Sequence, residues 1–390
     1  MHHTRRLTVL AATALAAVAL PGLAAACSSS PGTSSGGKTT VTVGVAGSFS
    51  GATAFYGQEA QKGADLAAKA LNAPGGKYRY KVVTADDECT PDGGASAYSN
   101  LVYSQHVSVI LGSPCSAATL GGIATLKRAQ VPDLVVSSTS ALITAQAGVG
   151  GNPYVWRMNV NDSTMAAAFT RYMHAHSVTK LATIAVNNDY GRGAITFYKA
   201  DSGGQGISVT DSEYYTQGAG DFRTQLTKIR FSHPGALLMV GSYGDAVVML
   251  EQMRELGFKI PLYTRGDVVS QSFLSLAKNP ALGNGAIEAT NWDPTYAAYP
   301  QVEKAYQAAY GADAQSYAVQ AYLGVQLIAK AVAAGGGSSA DIQKALLSID
   351  WNSPLGPVKF DDHHQAHPDL FLNIFRNGKV VQLEMLPTSS

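Results

Sequence analysis

Little charge of either sign is present in this sequence, and the two signs nearly cancel. Lys and Arg together number 28 and Asp and Glu 27 among 390 residues, a formal net charge of +1. Such a chain creates no positive field that would gather polyanions, so nucleic acid is a poor candidate partner. The composition, 14% charged and 46% hydrophobic, also excludes disordered and fibrous proteins. It indicates a globular chain that is long enough for two hydrophobic cores.

The N-terminal apolar run is too short to cross a bilayer stably. It extends from Leu7 to Leu20, is rich in alanine and follows two arginines, a pattern typical of an export signal over residues 1–26. The small residues before Cys27 resemble a bacterial lipobox, which implies that Cys27 is diacylated and anchors the protein to the cell membrane. An ordinary signal-peptidase cut is the alternative. The rest of residues 27–39, rich in Ser and Gly, is predicted to be a flexible tether.

Two cysteines remain once Cys27 is assigned to lipid. Cys89 and Cys115 both fall at the ends of predicted strands. Because an exported protein lies in an oxidising compartment, an even remainder suggests one disulfide. Metal ligation by two thiolates is the alternative, but no His or further Cys lies nearby at ligand spacing.

Strand and helix patterns alternate from Thr40 onwards. Apolar, β-branched runs predict strands, and apolar residues at helical spacing predict helices between them, for example over Ala95–Gln105 and Ala194–Ala200. The pattern predicts two α/β lobes, each built on a doubly wound parallel sheet, with a cleft between them. The C-terminal part is predicted to add short antiparallel strands at Val358–Phe360, Leu370–Phe375 and Lys379–Glu384.

One strand-turn-helix pattern indicates where a ligand would bind. The apolar run Val109–Leu111 stops at Gly112 and is followed by small polar residues and a predicted helix. Ligands bind at the carboxyl ends of strands in open parallel sheets, and the first turn of the following helix offers free N–H groups to an anion. Ser116 would add a hydroxyl to those donors. An ordinary helix N-cap formed by Ser113 or Ser116 is the alternative.

Several short motifs together resemble the extracytoplasmic solute-binding proteins of ABC importers, of the branched-chain amino-acid binding type. The resemblance extends from Thr40 to Leu386 and depends on the order and spacing of the motifs. It implies a type I periplasmic-binding-protein fold, with two doubly wound parallel-sheet lobes joined by a hinge that the chain crosses several times. Lobe 1 would comprise residues 40–158 with 292–355, and lobe 2 residues 159–291 with 356–390. The motifs are Gly47-Ser48-Phe49-Ser50-Gly51, Asp86-Asp87-Glu88-Cys89-Thr90-Pro91, Ile110-Leu111-Gly112, Cys115-Ser116, Asp189-Tyr190-Gly191, Asp221-Phe222 and Leu355-Gly356-Pro357.

The resemblance also implies roles for individual residues. Ser116 and Thr139 would bind the carboxylate of a ligand, and the carbonyl of Ser138 would accept a hydrogen bond from its ammonium. Asp267 would pair with the same ammonium. Many family members have a longer Glu at this position, and Arg265 lies two residues away. The ligand could therefore also be an amide, urea or an aromatic acid.

Three tyrosines are predicted to form aromatic walls of the site. The resemblance places Tyr56, Tyr190 and Tyr243 there, and packing in the core or at its edge is the alternative for each.

No pattern of catalytic residues accompanies these motifs. A nucleophile elbow would need a serine at the centre of Gly47–Gly51, where the sequence has Phe49. No pair of carboxylates and no Ser/His/Asp set stands at positions that would indicate catalysis. We therefore expect that the protein is not an enzyme and has no cofactor. The run Asp361–His364 with His367 is more typical of a solvated turn than of a metal site.

The function that follows is capture of a small zwitterionic solute, a branched-chain or related amino acid, between two closing lobes. The expected partners are the ligand, an ABC transporter permease and, through the lipid anchor, the membrane; the protein is expected to be a monomer. A sensory module that reports the ligand to a signalling partner would have the same fold and site, so it is the alternative.

Overall fold

The computed structural model describes residues 38–279, 281–291, 300–354, 356–386 and 388. The predictions for the export signal, for Cys27 and for the tether up to residue 37 lie outside these residues. From Lys38 onwards the chain forms one compact unit by its internal contacts.

Five parallel strands form the first sheet, in the order β2-β1-β3-β4-β5. The chain moves from β1 to β2 on one side and then to β3 on the other, so the strand order reverses beside β1. Ligands of open α/β sheets bind at the carboxyl ends of strands at such a reversal. The strands are β1 Thr39–Gly47, β2 Tyr78–Asp86, β3 Val109–Leu111, β4 Asp133–Val135 and β5 Val155–Arg157.

The second sheet has seven strands in the order β14-β13-β10-β9-β8-β6-β7. Strands β6 to β10 run parallel, and β13 and β14 are antiparallel additions at one edge. The order reverses again, this time beside β6, which places a second such reversal in the molecule. The strands are β6 Lys180–Val186, β7 Ser208–Tyr215, β8 Ala236–Val240, β9 Leu262–Arg265, β10 Ile287–Thr290, β13 Leu370–Arg376 and β14 Lys379–Leu386.

Helices cover both sheets. Those of the first half are α1 Ala54–Leu71, α2 Pro91–Ser99, α3 Ser116–Ala129 and α4 Ala141–Ala145, with a 3-10 turn at Gly51–Thr53 and a π-helical segment at Asn100–Ser104. Those of the second half are α5 Asp162–Ala175, α6 Asp189–Gly204, α7 Arg223–Phe231, α8 Tyr243–Glu255 and α9 Gln271–Leu276. The chain continues through α10 Pro300–Tyr310, α11 Ser316–Gly335 and α12 Ser339–Leu346 to a two-stranded hairpin, β11 Asp350–Ser353 with β12 Gly356–Lys359.

The long apolar helix α11 belongs to the core of the first sheet. Its side chains cluster with those of β1, β3 and α1, and Val358 of β12 joins the same cluster. It packs so closely against α1 that a Cβ atom at Gly63 would lie 1.8 Å from the carbonyl oxygen of Ala318. The length and apolarity of α11 would also suit a membrane span, but 61% of its most apolar 18-residue stretch is buried within the protein.

The alternating architecture predicted from the sequence is confirmed, but several helices begin earlier than predicted. Helix α6 starts at Asp189 instead of Ala194 because the side chain of Asn188 caps it, accepting from the Gly191 N–H at 3.0 Å. Thr90 caps α2 in the same way through the Gly93 N–H at 3.0 Å. Small and polar residues fill such first turns, so apolar periodicity alone places the helix start one turn late.

Candidate functional site

A cavity of about 100 Å³ lies where the carboxyl ends of strands from both sheets meet. The two reversals of strand order bring the segments after β3, β6, β8 and β9 to it. Polar residues contribute much of its lining. They include Ser116, Ser137, Thr139, Asn159, Asn188, Gln217, Ser242, Arg265, Asp267, Glu288, Thr290, Asn291, Ser316 and Gln320, together with the aromatic residues Tyr56, Tyr190 and Tyr317.

Helix α3 begins at the cavity wall. Cys115 is its N-cap and forms a disulfide with Cys89, so the two cysteines pair as predicted. The next residue, Ser116, is 4% exposed, and its hydroxyl accepts from the Ser140 N–H at 3.2 Å. Because the first N–H groups of a helix have no partner within it, this end of α3 offers hydrogen-bond donors and a partial positive charge to the cavity.

Thr139 and Arg265 meet at the same wall, although 126 residues separate them in the chain. The guanidinium Nη2 of Arg265 lies 3.4 Å from the Thr139 hydroxyl and 3.2 Å from a carboxylate oxygen of Asp162. Its central carbon lies 5.9 Å from the centre of the Tyr190 ring. Arg265 is only 3% exposed, so the cavity wall holds a buried cation beside the hydroxyl predicted to bind a carboxylate.

Two carboxylates stand together at another part of the cavity. Asp267 has a left-handed backbone, with φ of 59°, and its main-chain N–H donates to Glu288 Oε1 at 2.7 Å. Ser316 donates to the Asp267 carboxylate at 2.7 Å. Neither carboxylate forms an ion pair within the described part of the chain. Burial raises the pKa of Asp267, and it raises the pKa of Glu288 to about 8.

The three predicted tyrosines are divided by the structure. Tyr56 and Tyr190 line the cavity, and the Tyr56 ring lies 4.8 Å from that of Tyr317, centre to centre. Tyr243 is not among the lining residues; its ring packs edge-on against Phe55 at 5.1 Å. Its role in ligand binding stays a prediction.

Ser138 is likewise absent from the cavity lining. Its side chain points into the structure beneath the turn. There its hydroxyl donates to the carbonyl of Ser113 at 2.6 Å and lies 3.1 Å from the Thr119 hydroxyl. The predicted role concerns the Ser138 carbonyl and stays a prediction. The side chain holds together the two turns that carry Ser116 and Thr139.

Several lining residues were missing from the sequence-based set. Glu288 lies within strand β10, and Ser316 and Tyr317 open helix α11. A chain of amides also joins three separate segments of the lining: Gln320 donates to Asn291 at 2.9 Å, and Asn291 donates to Asn159. One signal was available for Glu288, because a carboxylate between the apolar residues Ile287 and Ala289 of a strand is unusual in a parallel sheet.

No cluster of three or more His, Cys, Asp or Glu side chains within the described ranges has the geometry to hold a metal ion. In the run that could have suggested one, His367 pairs with Asp361 at 3.0 Å and both are exposed.

Comparison with known proteins agrees with this architecture. The family model described as "Periplasmic binding protein" matches residues 40–379. The chain belongs to the periplasmic binding protein family. An "Amino acid binding protein" of Pseudomonas aeruginosa is 27% identical to this binding protein over 343 residues, which are 87% of this chain and 91% of the relative.

Solved structures of other binding proteins have the same fold. One is the branched-chain amino acid transporter substrate binding protein LivJ from Streptococcus pneumoniae in complex with isoleucine. It is 26% identical with a TM-score of 0.78, and the match covers 88% of this chain and 100% of LivJ. A solute binding protein of an ABC transporter from R. palustris, in complex with benzoate, is 21% identical with a TM-score of 0.81, covering 89% and 97%. Both solved structures are of substrate- or solute-binding proteins of transporters, and the chain's membership of the periplasmic binding protein family agrees with the expectation that it is not an enzyme.

Proposed function

We propose that this binding protein captures a small zwitterionic solute, a branched-chain or related amino acid. One observation carries the proposal: the cavity presents Asp267, a partly buried carboxylate with no ion-pair partner in the described chain, together with a separate set of donors. A zwitterion that leaves water loses the hydration of both its charges, so each charge needs a positioned partner in the site. The two sets of groups satisfy that requirement.

The ligand carboxylate is assigned to the wall formed by Ser116, Thr139 and the first turn of α3. Both hydroxyls line the cavity, and the helix end adds free N–H donors. Arg265 adds a formal positive charge beside Thr139. Hydrogen bonds from charged or polarised donors to a carboxylate are stronger than those between neutral groups.

The ligand ammonium is assigned to Asp267. Ser316 of helix α11 donates to this carboxylate and orients it, and the Glu288 carboxylate accepts from the main-chain N–H of Asp267. The carbonyl of Ser138 is the second acceptor we propose for the ammonium. Tyr56, Tyr190 and Tyr243 are proposed to surround the ligand's apolar part.

Ligand capture is proposed to favour closure of two lobes. Residues 40–158 with 292–355 would form one lobe, which contributes Ser116 and Thr139, and residues 159–291 with 356–390 the other, which contributes Tyr190, Arg265 and Asp267. The contact between Asp267 and Ser316 would then join the lobes directly. A ligand that binds groups on both lobes stabilises the closed form relative to the open one.

The protein is proposed to deliver the captured solute to an ABC importer. The lipobox-like segment supports an extracytoplasmic protein anchored to the cell membrane through Cys27 by a flexible tether, and we propose that the protein is a monomer. A sensory module would use the same site, and neighbouring permease and ATPase genes would distinguish importer from sensor.

A second candidate ligand is an aromatic acid, and the observation that favours it is the buried guanidinium of Arg265 in the cavity wall. The deciding experiment begins with mass spectrometry of ligand released from protein purified without refolding. Calorimetric titration with L-isoleucine and with benzoate then compares a ligand that carries an ammonium with one that lacks it. Binding of isoleucine alone supports the proposal; binding of benzoate alone would replace it with the second candidate.

A further inference from the structure

Glu288 holds the turn that presents Asp267. One of its carboxylate oxygens accepts from the Asp267 N–H at 2.7 Å, and the other accepts from the Val269 N–H at 2.5 Å. Glu288 is 2% exposed. Because both of its oxygens bind the backbone on either side of Val268, the left-handed conformation of Asp267 depends on this side chain. Glu288 is therefore a positioning residue for the proposed ammonium site.

The buried charges around the cavity do not balance if every acid is ionised. Among the described residues, Arg157 and Arg265 are the cations there, and the acids that interact with one or both of them are Asp162, Asp267 and Glu288, so two positive charges face three negative ones. Arg265 already pairs with Asp162. Where two carboxylates share such a site, their repulsion strongly raises the pKa of one of them.

We infer that Asp267 and Glu288 share one proton while the cavity holds no ligand, and that the ammonium of an entering ligand displaces that proton. The inference rests on the proposed function and adds a property of the same site. The exchange breaks one carboxylic O–H bond and passes its proton to solvent, while the ligand keeps its own ammonium protons. The site gains one positive charge from the ligand and loses one to the solvent.

Other titratable groups around the pair do not explain such an exchange near neutral pH. Arg265 remains charged. The pKa values of the facing tyrosines are all raised above 10, so these tyrosines stay protonated. Glu303 is the group that needs a control, because burial raises its pKa as well. Within the part of the chain that the structure describes, the charged and titratable groups that face the pair are Arg265 on β9, Tyr56 on α1, Tyr190 on α6, Tyr243 on α8 and Tyr317 on α11. The adjoining cavity adds Glu303, Asp313 and Lys379.

Infrared difference spectra of ligand-free protein test the shared proton. At about pH 6.5, well below the pKa of Glu288, wild-type protein minus the Glu288→Gln variant should show the C=O band of a protonated carboxyl group. Asp267→Asn provides a second subtraction should Glu288→Gln not fold. Asp133→Asn is the matched control, because Asp133 is also buried but hydrogen-bonds to Tyr98 elsewhere. No protonated band in either the Glu288 or the Asp267 subtraction would overturn the inference.

Titration with L-isoleucine tests the displacement. The band of the pair should disappear on binding while that of Asp133 stays. Calorimetry in buffers of different ionisation enthalpy should record release of about one proton for each isoleucine bound, and affinity should rise up to about tenfold per pH unit between about pH 5.5 and 7.5. Glu288→Gln should remove that slope, whereas Glu303→Gln should keep it. Binding of isoleucine without proton release would refute the exchange. Absence of isoleucine binding would refute the proposed ligand instead. In that case the spectra of ligand-free protein would still decide whether Asp267 and Glu288 share a proton.

Discussion

Arg265 and Asp162 form an ion pair of 3.2 Å in which both side chains are buried, one 4% and the other 0% exposed. Asp162 opens helix α5, and Arg265 ends strand β9. Removing ions from water costs several kcal/mol for each, and the pairing recovers part of that cost. The pair therefore holds the guanidinium beside Thr139, and losing one partner leaves an uncompensated buried charge.

Replacing Asp162 by Asn should strongly destabilise the protein. Breaking a buried pair typically costs about 3 to 5 kcal/mol, because the remaining arginine has no counterion. Denaturant unfolding of the wild type and the variant measures the change. Asp221→Asn is the matched control, since Asp221 forms a pair of similar length, 3.1 Å, with Arg223 in an exposed position. Equal effects of the two substitutions would show that burial of the Arg265 pair does not matter.

Reduction of the disulfide should lower both stability and affinity. The bond between Cys89 and Cys115 spans a sequence separation of 26 residues, and a loop of that length corresponds to about 3.5 kcal/mol on the chain-entropy model. Both cysteines also line the cavity, and Cys115 is the N-cap of α3, so reduction should loosen the turn that carries Ser116. Thermal unfolding and calorimetric titration with and without reductant check the prediction. A fall in melting temperature with unchanged affinity would argue against a link between the disulfide and the site.

Asp133 should make the protein less stable as the pH rises. Burial raises its pKa to about 8, although the Tyr98 hydroxyl donates to it at 3.0 Å. Because the folded pKa exceeds that of the unfolded chain, its contribution is fully present below about pH 4 and is lost as the pH rises through about 8, by up to about 1.4 kcal/mol per pH unit.

Comparison with Asp133→Asn isolates this contribution. The free energy of unfolding of the wild type should decline relative to that of the variant across this pH range. Asp350→Asn, at an exposed position, is the control and should follow the wild type. Parallel curves for the wild type and Asp133→Asn would show that Asp133 does not titrate as described.

Local sequence patterns predict the parts of this site that are local in origin. Ser116 follows an apolar strand and a Gly-Ser-Pro turn, so the rules of open α/β sheets are sufficient to place it at a ligand-binding edge. Ser316 and Tyr317 could not be placed in the same way, because they reach Asp267 from a helix 49 residues further along the chain. That approach depends on how the two halves of the protein pack together, which no short-range pattern contains.

Side-chain direction is harder to predict than position. Ser138 precedes Thr139 in the chain, but its hydroxyl points to the Ser113 carbonyl and does not line the cavity as Thr139 does. Tyr243 begins helix α8 shortly after strand β8, but its ring packs against Phe55. Neighbouring turn residues point in different directions after small changes in backbone angles, so spacing along the sequence leaves their side chains undetermined.

The proposed lipid anchor can be tested without knowledge of the ligand. Two or more acyl chains bind a membrane stably, whereas one chain binds only marginally. Cys27→Ala removes the predicted acylation site, so the variant should leave the membrane fraction and be found with the soluble proteins. Ser28→Ala is a control that keeps the cysteine and should fractionate like the wild type. Membrane association of the Cys27 variant at the wild-type level would refute lipidation as the anchor.

The proposed ammonium site predicts a specific loss of affinity in Asp267→Asn. This variant keeps the shape of the side chain and an oxygen that can accept from Ser316, but removes the charge that would face the ligand. Hydrogen bonds to charged groups are worth about 1.5 to 3 kcal/mol, so affinity for an amino acid should fall from about tenfold to over a hundredfold. Ser116→Ala should cost less, because the N–H donors of α3 remain. Calorimetric titration with L-isoleucine measures both variants, and thermal unfolding confirms that they are folded.

Benzoate has no ammonium, so a protein that binds it should tolerate or even benefit from the loss of the Asp267 charge. Unchanged affinity of Asp267→Asn for isoleucine would show that Asp267 does not bind the ligand ammonium.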